Sequence, residues 1–414
     1  MNPTQKSQKK SRSPLLVIFT TVFLDLVGFG IIIPLIGLYG RDFGATTYEL
    51  MILGAIYSLM QFFFSPIWGK LSDRIGRRPI LLMSLLGSTT SYFLFAFAHN
   101  IWFLIFTRAL AGVFAANVST AQAYIADVTE AKDRAKGMGL IGAAFGIGFT
   151  LGPPIGGISA AKWGLSAPGI IAGTLCGLNF LLAIFRLKES LPESIRQDNL
   201  KKPKVGVRRE QLHTLKRVAR DPKLMLPILS TFFAVFAFSN FEQVFSLFLQ
   251  GKLDLTTEMA GYKTGMILMW AGVLGAVVQG GLIRRLAPKY GEVKLAVVGF
   301  FLQGIGMILF SQSPTFGSFF LTAIPLALGS GLINPSLAAL VSKRADAHEQ
   351  GAVIGLKEGM SSLARIFGPL VGFLAFGVHA TLPFFIGGVT VAILGLIWVN
   401  REFKSSSSPV STHS

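Results

Sequence analysis

Twelve long apolar stretches constrain the fold of this chain more than any other feature of its sequence. Each is close to the roughly 20 residues that an α-helix needs to cross a bilayer. Only 14% of the 414 residues are charged, whereas soluble domains carry about 25%. The sequence therefore predicts an all-α membrane protein with twelve transmembrane helices, near residues 15–39, 48–68, 79–98, 101–125, 137–160, 168–187, 223–249, 260–283, 293–312, 316–342, 353–377 and 380–400.

The basic residues predict the orientation of these spans. Of 38 lysines and arginines, 31 fall in segments on one side of the apolar stretches. Four lie on the other side (Arg41, Lys162, Lys252 and Lys263) and three within spans. Cytoplasmic loops carry such an excess of positive charge. The net charge of +18 therefore indicates a multi-pass protein of the cell (inner) membrane with both termini in the cytoplasm. The lipid bilayer is the expected partner, and nucleic acid is not.

A polar, basic segment divides the spans into two sets of six. The Gly-Pro pair of "FTLGPPIGG" recurs in "ARIFGPLVG" at an offset of 216 residues, and "DRIG" faces "PKYG" at an offset of 215. Two six-helix repeats related by an axis along the membrane normal are typical of some secondary transporters. We expect an N-terminal tail at 1–14, a first half at 15–187, a cytoplasmic linker at 188–222, a second half at 223–400 and a C-terminal tail at 401–414.

Signatures of enzymatic chemistry are weak or missing in the sequence. "GMGLIG" at 137–142 fits a dinucleotide-binding pattern but follows no strand. No P-loop, no paired-histidine zinc motif and only one cysteine occur. We predict no catalytic residues, no metal and no cofactor, and hence no enzyme.

The segment "GKLSDRIGRRP" between the second and third spans has the spacing G-x-L-x-D-R-x-G-R-R. "TRALAGVFAAN", "LDLVGFGIIIPLIGLY" and "YIADVTEAKDRAKGMG" accompany it in the first half. Together these stretches resemble the major facilitator superfamily, and within it the tetracycline-efflux group of drug:proton antiporters. The resemblance covers essentially the whole chain and is strongest in the first half. It implies alternating access, in which two halves rock about a central cavity, and a monomer driven by the proton gradient.

The resemblance implies a mechanical role for this loop. In the family, the aspartate at position 73 faces the N-terminus of the eleventh helix, whose dipole favours negative charge. The arginine at position 77 pairs with an acid at the foot of the fourth helix, which is Asp127 here. Such a latch would hold the halves together while the protein faces outward. We place in it Gly69, Asp73, Arg74, Gly76, Arg77, Arg78 and Asp127, with both glycines expected to allow tight turning and close packing.

The fifth span carries the pattern G-x8-G-x3-G-P-x2-G-G, which resembles the antiporter motif of the drug:proton antiporters. Glycines at this spacing make a smooth face for close helix packing, and proline removes a backbone hydrogen bond and bends a helix. The motif favours antiport over uptake by family association. Its residues are Gly139, Gly148, Gly152, Pro153, Gly156 and Gly157.

Charged side chains inside the spans are the candidates for transport chemistry, because ionisable groups at membrane depth are costly and mark substrate or proton pathways. We assign proton coupling or substrate binding to Asp25, Glu242, Arg108, Glu358 and Arg365. Glu242 is the sharpest candidate, since it stands alone among aromatic residues that would suit cationic or amphipathic ligands. Lys357 is close enough to the basic side to extend out of the membrane. Cavity-lining candidates are Asn117, Gln122, Gln243, Phe238 and Phe241.

The chain departs from the tetracycline-efflux group in one respect. That group has an acid in the third helix, where this chain has Thr89, Thr90 and Ser91. It has a second acid in the ninth helix, and the ninth span of this chain lacks that acid. Tetracycline is therefore not the expected substrate, and Glu242 or Glu358 would couple the proton. The sequence predicts proton-coupled efflux of drug-like, lipophilic or cationic small molecules. It leaves open a symporter or uniporter for a metabolite, and an uncoupled membrane sensor or lipid transporter on the same fold.

Overall fold

The computed structural model describes residues 13–129, 134–201, 217–218, 221–345 and 350–406. Within these residues most of the chain is helical, with no strand, and twelve helices are long and apolar enough to cross a membrane. The prediction of twelve spans in an all-α protein is confirmed. Spans 1–12 comprise Leu15–Asp42, Thr47–Ile75, Arg77–Ala96, Ile101–Val128, Gly137–Trp163, Ser166–Arg186, Pro222–Lys252, Thr257–Tyr290, Glu292–Gln312, Phe316–Arg344, Val353–Val378 and Leu382–Arg401.

The connections between spans define two ends of the bundle. The end that carries the turn between spans 2 and 3 and the linker after span 6 is called the basic end, and the other is called the opposite end. Span 2 begins with a capping box at Thr46 and Glu49 and continues to Ile75. Most of the segment "GKLSDRIGRRP" is thus helical, and the turn between spans 2 and 3 consists of Gly76 alone. Its φ of 110° lies in a region that favours glycine.

Two spans near the centre of the bundle are interrupted. Span 1 tightens into a 3₁₀ turn at Ile33–Leu35, which contains Pro34, because proline cannot continue the α-helical hydrogen bonds. Span 4 breaks between its helices Ile101–Val113 and Asn117–Val128. The Ser84 hydroxyl of span 3 donates to the Phe114 carbonyl and accepts the Ala116 amide at 3.1 Å. The Ala116 amide also donates to the Phe114 carbonyl at 2.8 Å, so the Ser84 hydroxyl adds a second hydrogen bond to each of these two backbone groups at the break.

One face of span 5 shows how the two halves meet. Residues 157, 150, 146 and 139 lie on this face. Each residue of an α-helix is rotated by 100° from the one before, so residues 7, 11 or 18 positions from residue 157 point in nearly the same direction. A Cβ added at Gly157 would meet the Gly261 carbonyl of span 8, and Gly272 of span 8 packs against Thr150. Further toward the basic end, Gly146 and Gly139 have nothing within 4 Å of an added Cβ. Spans 5 and 8 therefore touch toward the opposite end and diverge toward the basic end.

Spans 2 and 11 repeat this arrangement on the other side of the bundle. Gly377 packs against Thr47 at the opposite end, and Gly54 packs against Phe373 nearer the middle. Gly359, which lies 18 residues from Gly377 and so on the same face, has no neighbour within 4 Å of an added Cβ. The two six-helix halves are thus closed together at the opposite end and separated at the basic end.

Candidate functional site

A cavity lies between the two halves, on the basic side of their closed contacts. It is a small space that is partly open to solvent. Spans 1, 2, 4 and 5 supply one wall, and spans 7 and 11 supply the other. The lining residues are Phe29, Ile33, Ile36, Gly54, Tyr57, Ser58, Arg108, Phe149, Ser239, Glu242, Gln243 and Arg365.

Three charged side chains from different spans converge on this cavity. Glu242 comes from span 7, Arg108 from span 4 and Arg365 from span 11. The Glu242 carboxylate receives no hydrogen bond from any side chain in the described part of the chain, and Arg365 lies within electrostatic range of it. Tertiary structure thus brings together three of the five charged residues that the sequence singles out. Their arrangement can bind a charged ligand or exchange a proton.

Arg108 is held in an unusual setting for a charged side chain. It is 3% exposed, and its guanidinium carbon lies 4.7 Å from the centroid of the Tyr57 ring. Its Nε has no hydrogen-bond partner in the described residues. The cation rests on an aromatic face, a contact that partly offsets its desolvation. The break in span 4 lies one and a half turns beyond Arg108, so the helix that presents it is short.

Span 7 faces the cavity with only part of its surface. Glu242 and Gln243 line the cavity together with Ser239, while Phe241, 1% exposed, points into the core of the second half. The Phe241 ring packs at 5.5 Å from the rings of Phe245 and of Phe384. The expectation that Phe241 lines the cavity is therefore wrong, and Phe238, whose ring lies 6.1 Å from that of Phe241, is not among the lining residues. Neighbouring residues lie 100° apart on a helix, so Phe241 and Glu242 face different surroundings.

The aromatic side chains that do line the cavity come from the first half. The Phe29 ring lies 5.1 Å from the Tyr57 ring and 5.9 Å from the Phe149 ring. Sequence reasoning missed these three residues because it looked for aromatics beside Glu242 in the chain. Phe149 lies within the antiporter motif and Phe29 within "LDLVGFGIIIPLIGLY", so both motifs contained a signal that aromatic groups face the centre.

Asp25 lies outside the cavity that holds Glu242. It is partly exposed on span 1, one turn from Phe29 toward the basic end, and close to Ser88 and Asn117. Asn117 is buried beside it and does not line the cavity. Gln122 is exposed and also lies away from the cavity, so the expected lining role of both amides is wrong in this conformation. The two acids therefore occupy separate positions, Asp25 among side chains of the first half and Glu242 at the cavity between the halves.

Lys357 and Glu358 of span 11 form an ion pair with each other at 2.7 Å. Their adjacency in the sequence did not require this, since they point about 100° apart on a helix. Both lie nearer the basic end than Arg365 and outside the cavity lining. Glu358 therefore has a cationic partner of its own, and Glu242 is the acid that faces the cavity.

The turn at the basic end is tied together by Arg77. Its guanidinium donates to Asp73 at 2.6 Å and to Asp127 at 3.1 Å, which places the arginine as the family resemblance implies. The Asp73 side chain is 53% exposed, consistent with the separation of the halves at this end. Gly69 has open space around it. The close packing expected there is found only at Gly76.

Two neighbouring basic residues of the turn behave differently. Arg78 donates to the Ile184 carbonyl of span 6 at 2.8 Å, and Arg74 is partly buried at the end of span 2. The start of the linker also contributes, which the sequence did not indicate. The Glu189 carboxylate accepts the backbone amides of Arg77 at 2.9 Å and Arg78 at 3.1 Å. These are the first amides of span 3, which have no partner within their own helix.

The antiporter motif packs span 5 against span 1. Added Cβ atoms at Gly148, Gly152 and Gly156 would each meet span 1 backbone, with Gly152 at 2.6 Å from Gly30. The helix continues without interruption through Pro153. Gly139 has no close neighbour and takes no part in this packing.

Two six-helix halves around a charged central cavity define a secondary transporter, since substrate sites of such proteins lie at the interface between repeats. The chain belongs to the Major Facilitator Superfamily, whose sequence profile matches residues 18–290 and 282–414. It is therefore a membrane transporter and not an enzyme.

Curated relatives include resistance proteins of bacteria. The chain is 33% identical to the tetracycline resistance protein, class C, of Escherichia coli over 366 residues, which cover 87% of this chain and 89% of the relative. It is 28% identical to multidrug resistance protein 2 of Bacillus subtilis (strain 168), covering 98% of this chain and all of the relative. It is 25% identical to the quinolone resistance protein NorA of Staphylococcus aureus (strain COL), covering 94% and 97%.

Solved structures share the fold. The human organic anion transporter MFSD10 (TETRAN) aligns with a TM-score of 0.67 at 23% identity, covering 94% of this chain and 99% of that one. The nucleoside transporter NupG (D323A mutant) aligns with a TM-score of 0.75 at 11% identity, covering 93% and 99%.

Proposed function

We propose that the chain exports drug-like, lipophilic or cationic small molecules in exchange for protons, by alternating access. Glu242 carries this proposal: it is the one carboxylate among the residues that line the cavity, and no side chain in the described residues donates a hydrogen bond to it. Antiport requires that proton and substrate exclude each other. A carboxylate that binds either a proton or a cationic group meets this requirement at a single position.

The separation of the halves at the basic end supports the same proposal. If this end is cytoplasmic, as the distribution of basic residues predicts, the structure corresponds to the state that takes substrate from the cytoplasm. The chain would be a monomer in the cell (inner) membrane, with both termini in the cytoplasm. Residues 188–222 would link the two halves. The resistance proteins among the relatives add support for efflux of toxic compounds.

Transport in proteoliposomes tests the proposal. The purified protein is reconstituted into vesicles with a fluorescent cationic dye. When a proton gradient is imposed, the protein should move the dye against the concentration gradient of the dye, and without the proton gradient it should move the dye only slowly. Glu242→Gln should abolish the dependence on the gradient, because the amide cannot exchange a proton. Asp198→Asn is the matched control, since Asp198 is exposed on the helix Glu193–Lys201, which follows span 6. Equal transport with and without the gradient would refute proton coupling.

Counterflow separates the proposal from uptake of a metabolite. A symporter or uniporter would exchange labelled metabolite across the vesicle membrane and would not be inhibited by the dyes. An uncoupled sensor or lipid transporter would show no difference between the wild-type protein and Glu242→Gln.

A further inference from the structure

Two arginines from different spans meet at the start of span 7, at the basic end. Arg344 ends span 10, and its Nη1 donates to the Lys223 carbonyl at 2.7 Å. Arg401 ends span 12, and its Nη1 donates to the Pro222 carbonyl at 2.9 Å. The two carbonyls belong to consecutive residues of one helix. Because consecutive residues rise only about 1.5 Å along a helix axis, the two guanidinium groups lie close together.

One of these two contacts has an explanation within span 7. In a regular helix the Lys223 carbonyl would accept the amide four residues on, but that residue is Pro227, which has no amide hydrogen. Arg344 therefore replaces a missing hydrogen bond. The Pro222 carbonyl loses no donor in this way, so Arg401 is not required to complete the helix. A second cation stands here for which the helix itself gives no reason.

Both guanidinium groups keep donors for a ligand. A guanidinium carries five N–H donors, and each of these two donates one hydrogen bond within the described residues. Asp221, the nearest acid in the sequence, instead accepts the Lys223 amide at 2.8 Å as the N-cap of span 7. The Trp398 ring holds Arg344 in place, with its centroid 5.8 Å from the guanidinium carbon. Two like charges side by side repel each other, so an anion bound to both would be stabilised.

The two arginines lie at the depth where lipid headgroups meet a membrane protein. Arg401 is the last residue of span 12, and Pro222 is the first residue of span 7. Exposed apolar side chains follow toward the membrane centre on both of these neighbouring spans. Ile397 and Ile393 stand one and two turns from Arg401, and Leu229 stands two turns from Pro222. A ligand that fits both surroundings has an anionic head and apolar tails.

We propose that Arg344 and Arg401 bind the phosphate of an anionic phospholipid from the leaflet at the basic end, with its acyl chains along spans 7 and 12. Guanidinium groups match phosphate oxygens through paired hydrogen bonds, and basic pockets between transmembrane helices bind anionic headgroups. Phosphatidylglycerol brings one negative charge, whereas the choline of phosphatidylcholine would add a cation beside Lys223, which is exposed. Neither arginine lines the central cavity, so the inference is independent of the transported substrate.

Native mass spectrometry tests the preference for an anionic lipid. The full-length protein is released from detergent micelles that contain equal amounts of phosphatidylglycerol and phosphatidylcholine, and the bound lipids are counted. The first phosphatidylglycerol should bind about tenfold more tightly than phosphatidylcholine, since each basic residue near a membrane surface contributes roughly a factor of five. Equal binding of the two lipids would overturn the proposal.

A pair of double variants tests the location of the site. Arg344→Gln with Arg401→Gln should remove this preference and leave the binding of phosphatidylcholine unchanged. Arg284→Gln with Arg285→Gln is the matched control, because it removes the same charge from two exposed residues near the basic end of span 8. The control should bind phosphatidylglycerol as the wild-type protein does. An equal loss in both double variants would show attraction to net charge alone and overturn the site.

Two further arms keep the test decisive. If the first double variant does not fold, Arg401→Gln alone should weaken the binding of phosphatidylglycerol severalfold, and unchanged binding would overturn the proposal. Inorganic phosphate offers the same anionic chemistry without acyl chains. An excess of it should leave most of the phosphatidylglycerol bound, whereas displacement of the lipid at equal concentration would show a site for a soluble anion and overturn the lipid assignment.

Discussion

The contact between Gly157 and Gly261 allows the closure of the opposite end to be tested. Gly157→Ala would place a methyl group against the Gly261 carbonyl and 2.9 Å from the Tyr262 Cα. The obstacle is backbone, which cannot rotate away as a flexible side chain can. The helices must therefore separate at this level, and the substitution acts on the closed state of the opposite end.

The size of the effect follows from this contact. Forcing a methyl group into a closely packed site costs about 1–3 kcal/mol. The contact exists only while the opposite end is closed, so most of this cost falls on one conformation. A difference of about 1–3 kcal/mol changes a two-state equilibrium by roughly 5- to 150-fold. We expect the ratio of open to closed opposite ends to rise by that factor.

Distances between spin labels measure this ratio. Labels at Tyr48 and Met259, which are exposed at the opposite-end starts of spans 2 and 8, would report how far the halves lie apart. Cys176 is the single cysteine of the chain, so Cys176→Ala gives a background free of other labelling sites. Gly157→Ala should transfer population to the longer distance.

Gly146→Ala is a demanding control, because it lies on the same face of the same helix and has open space around it. It should leave the distance distribution unchanged. If Gly157→Ala altered the ratio less than twofold, or if both substitutions altered it equally, the inference that spans 5 and 8 close against each other would be refuted.

Three further predictions concern the two ends of the bundle. Glu189→Ala should lower the free energy of unfolding by about 1–2 kcal/mol, because it removes a helix cap. The measurement is a lower Tm in detergent, and the control substitution Ser194→Ala should leave the Tm unchanged. Asp73→Asn should slow turnover while ligand affinity is largely kept; a selective loss of affinity would contradict a mechanical role. Thr257→Val removes the hydrogen bond to Asp42 at 2.7 Å that joins the halves. It should favour the open opposite end by about 0.5–1.5 kcal/mol in the spin-label assay, and an unchanged distribution would contradict this.

The sequence predicted the parts of the site that depend on position along the chain. It identified Glu242, Arg108 and Arg365, because a charge within an apolar span is conspicuous whatever the fold around it. It did not indicate which of these residues share a cavity. That requires the relative rotation and depth of spans 4, 7 and 11, which no local pattern specifies.

The errors have the same origin. Lipid tails are as apolar as a core of leucine and phenylalanine, so a span that faces lipid and a span that faces protein have similar composition. The sequence around Glu242 therefore gave no means of telling that Phe241 points into the core while Phe29, from another span, faces the cavity. The positions of Asn117 and Gln122 relative to the cavity were unpredictable for the same reason.

The sequence by itself determined the number of spans, their predicted orientation and the family, because these depend on apolar length, on the distribution of basic residues and on short spacings in the chain. Only the tertiary structure decided that the halves close at the opposite end, and that two arginines and one glutamate face a common space. The physical reason is that a membrane fixes the length and direction of each helix through solvation. The rotation of each helix depends on contacts between residues far apart in the sequence.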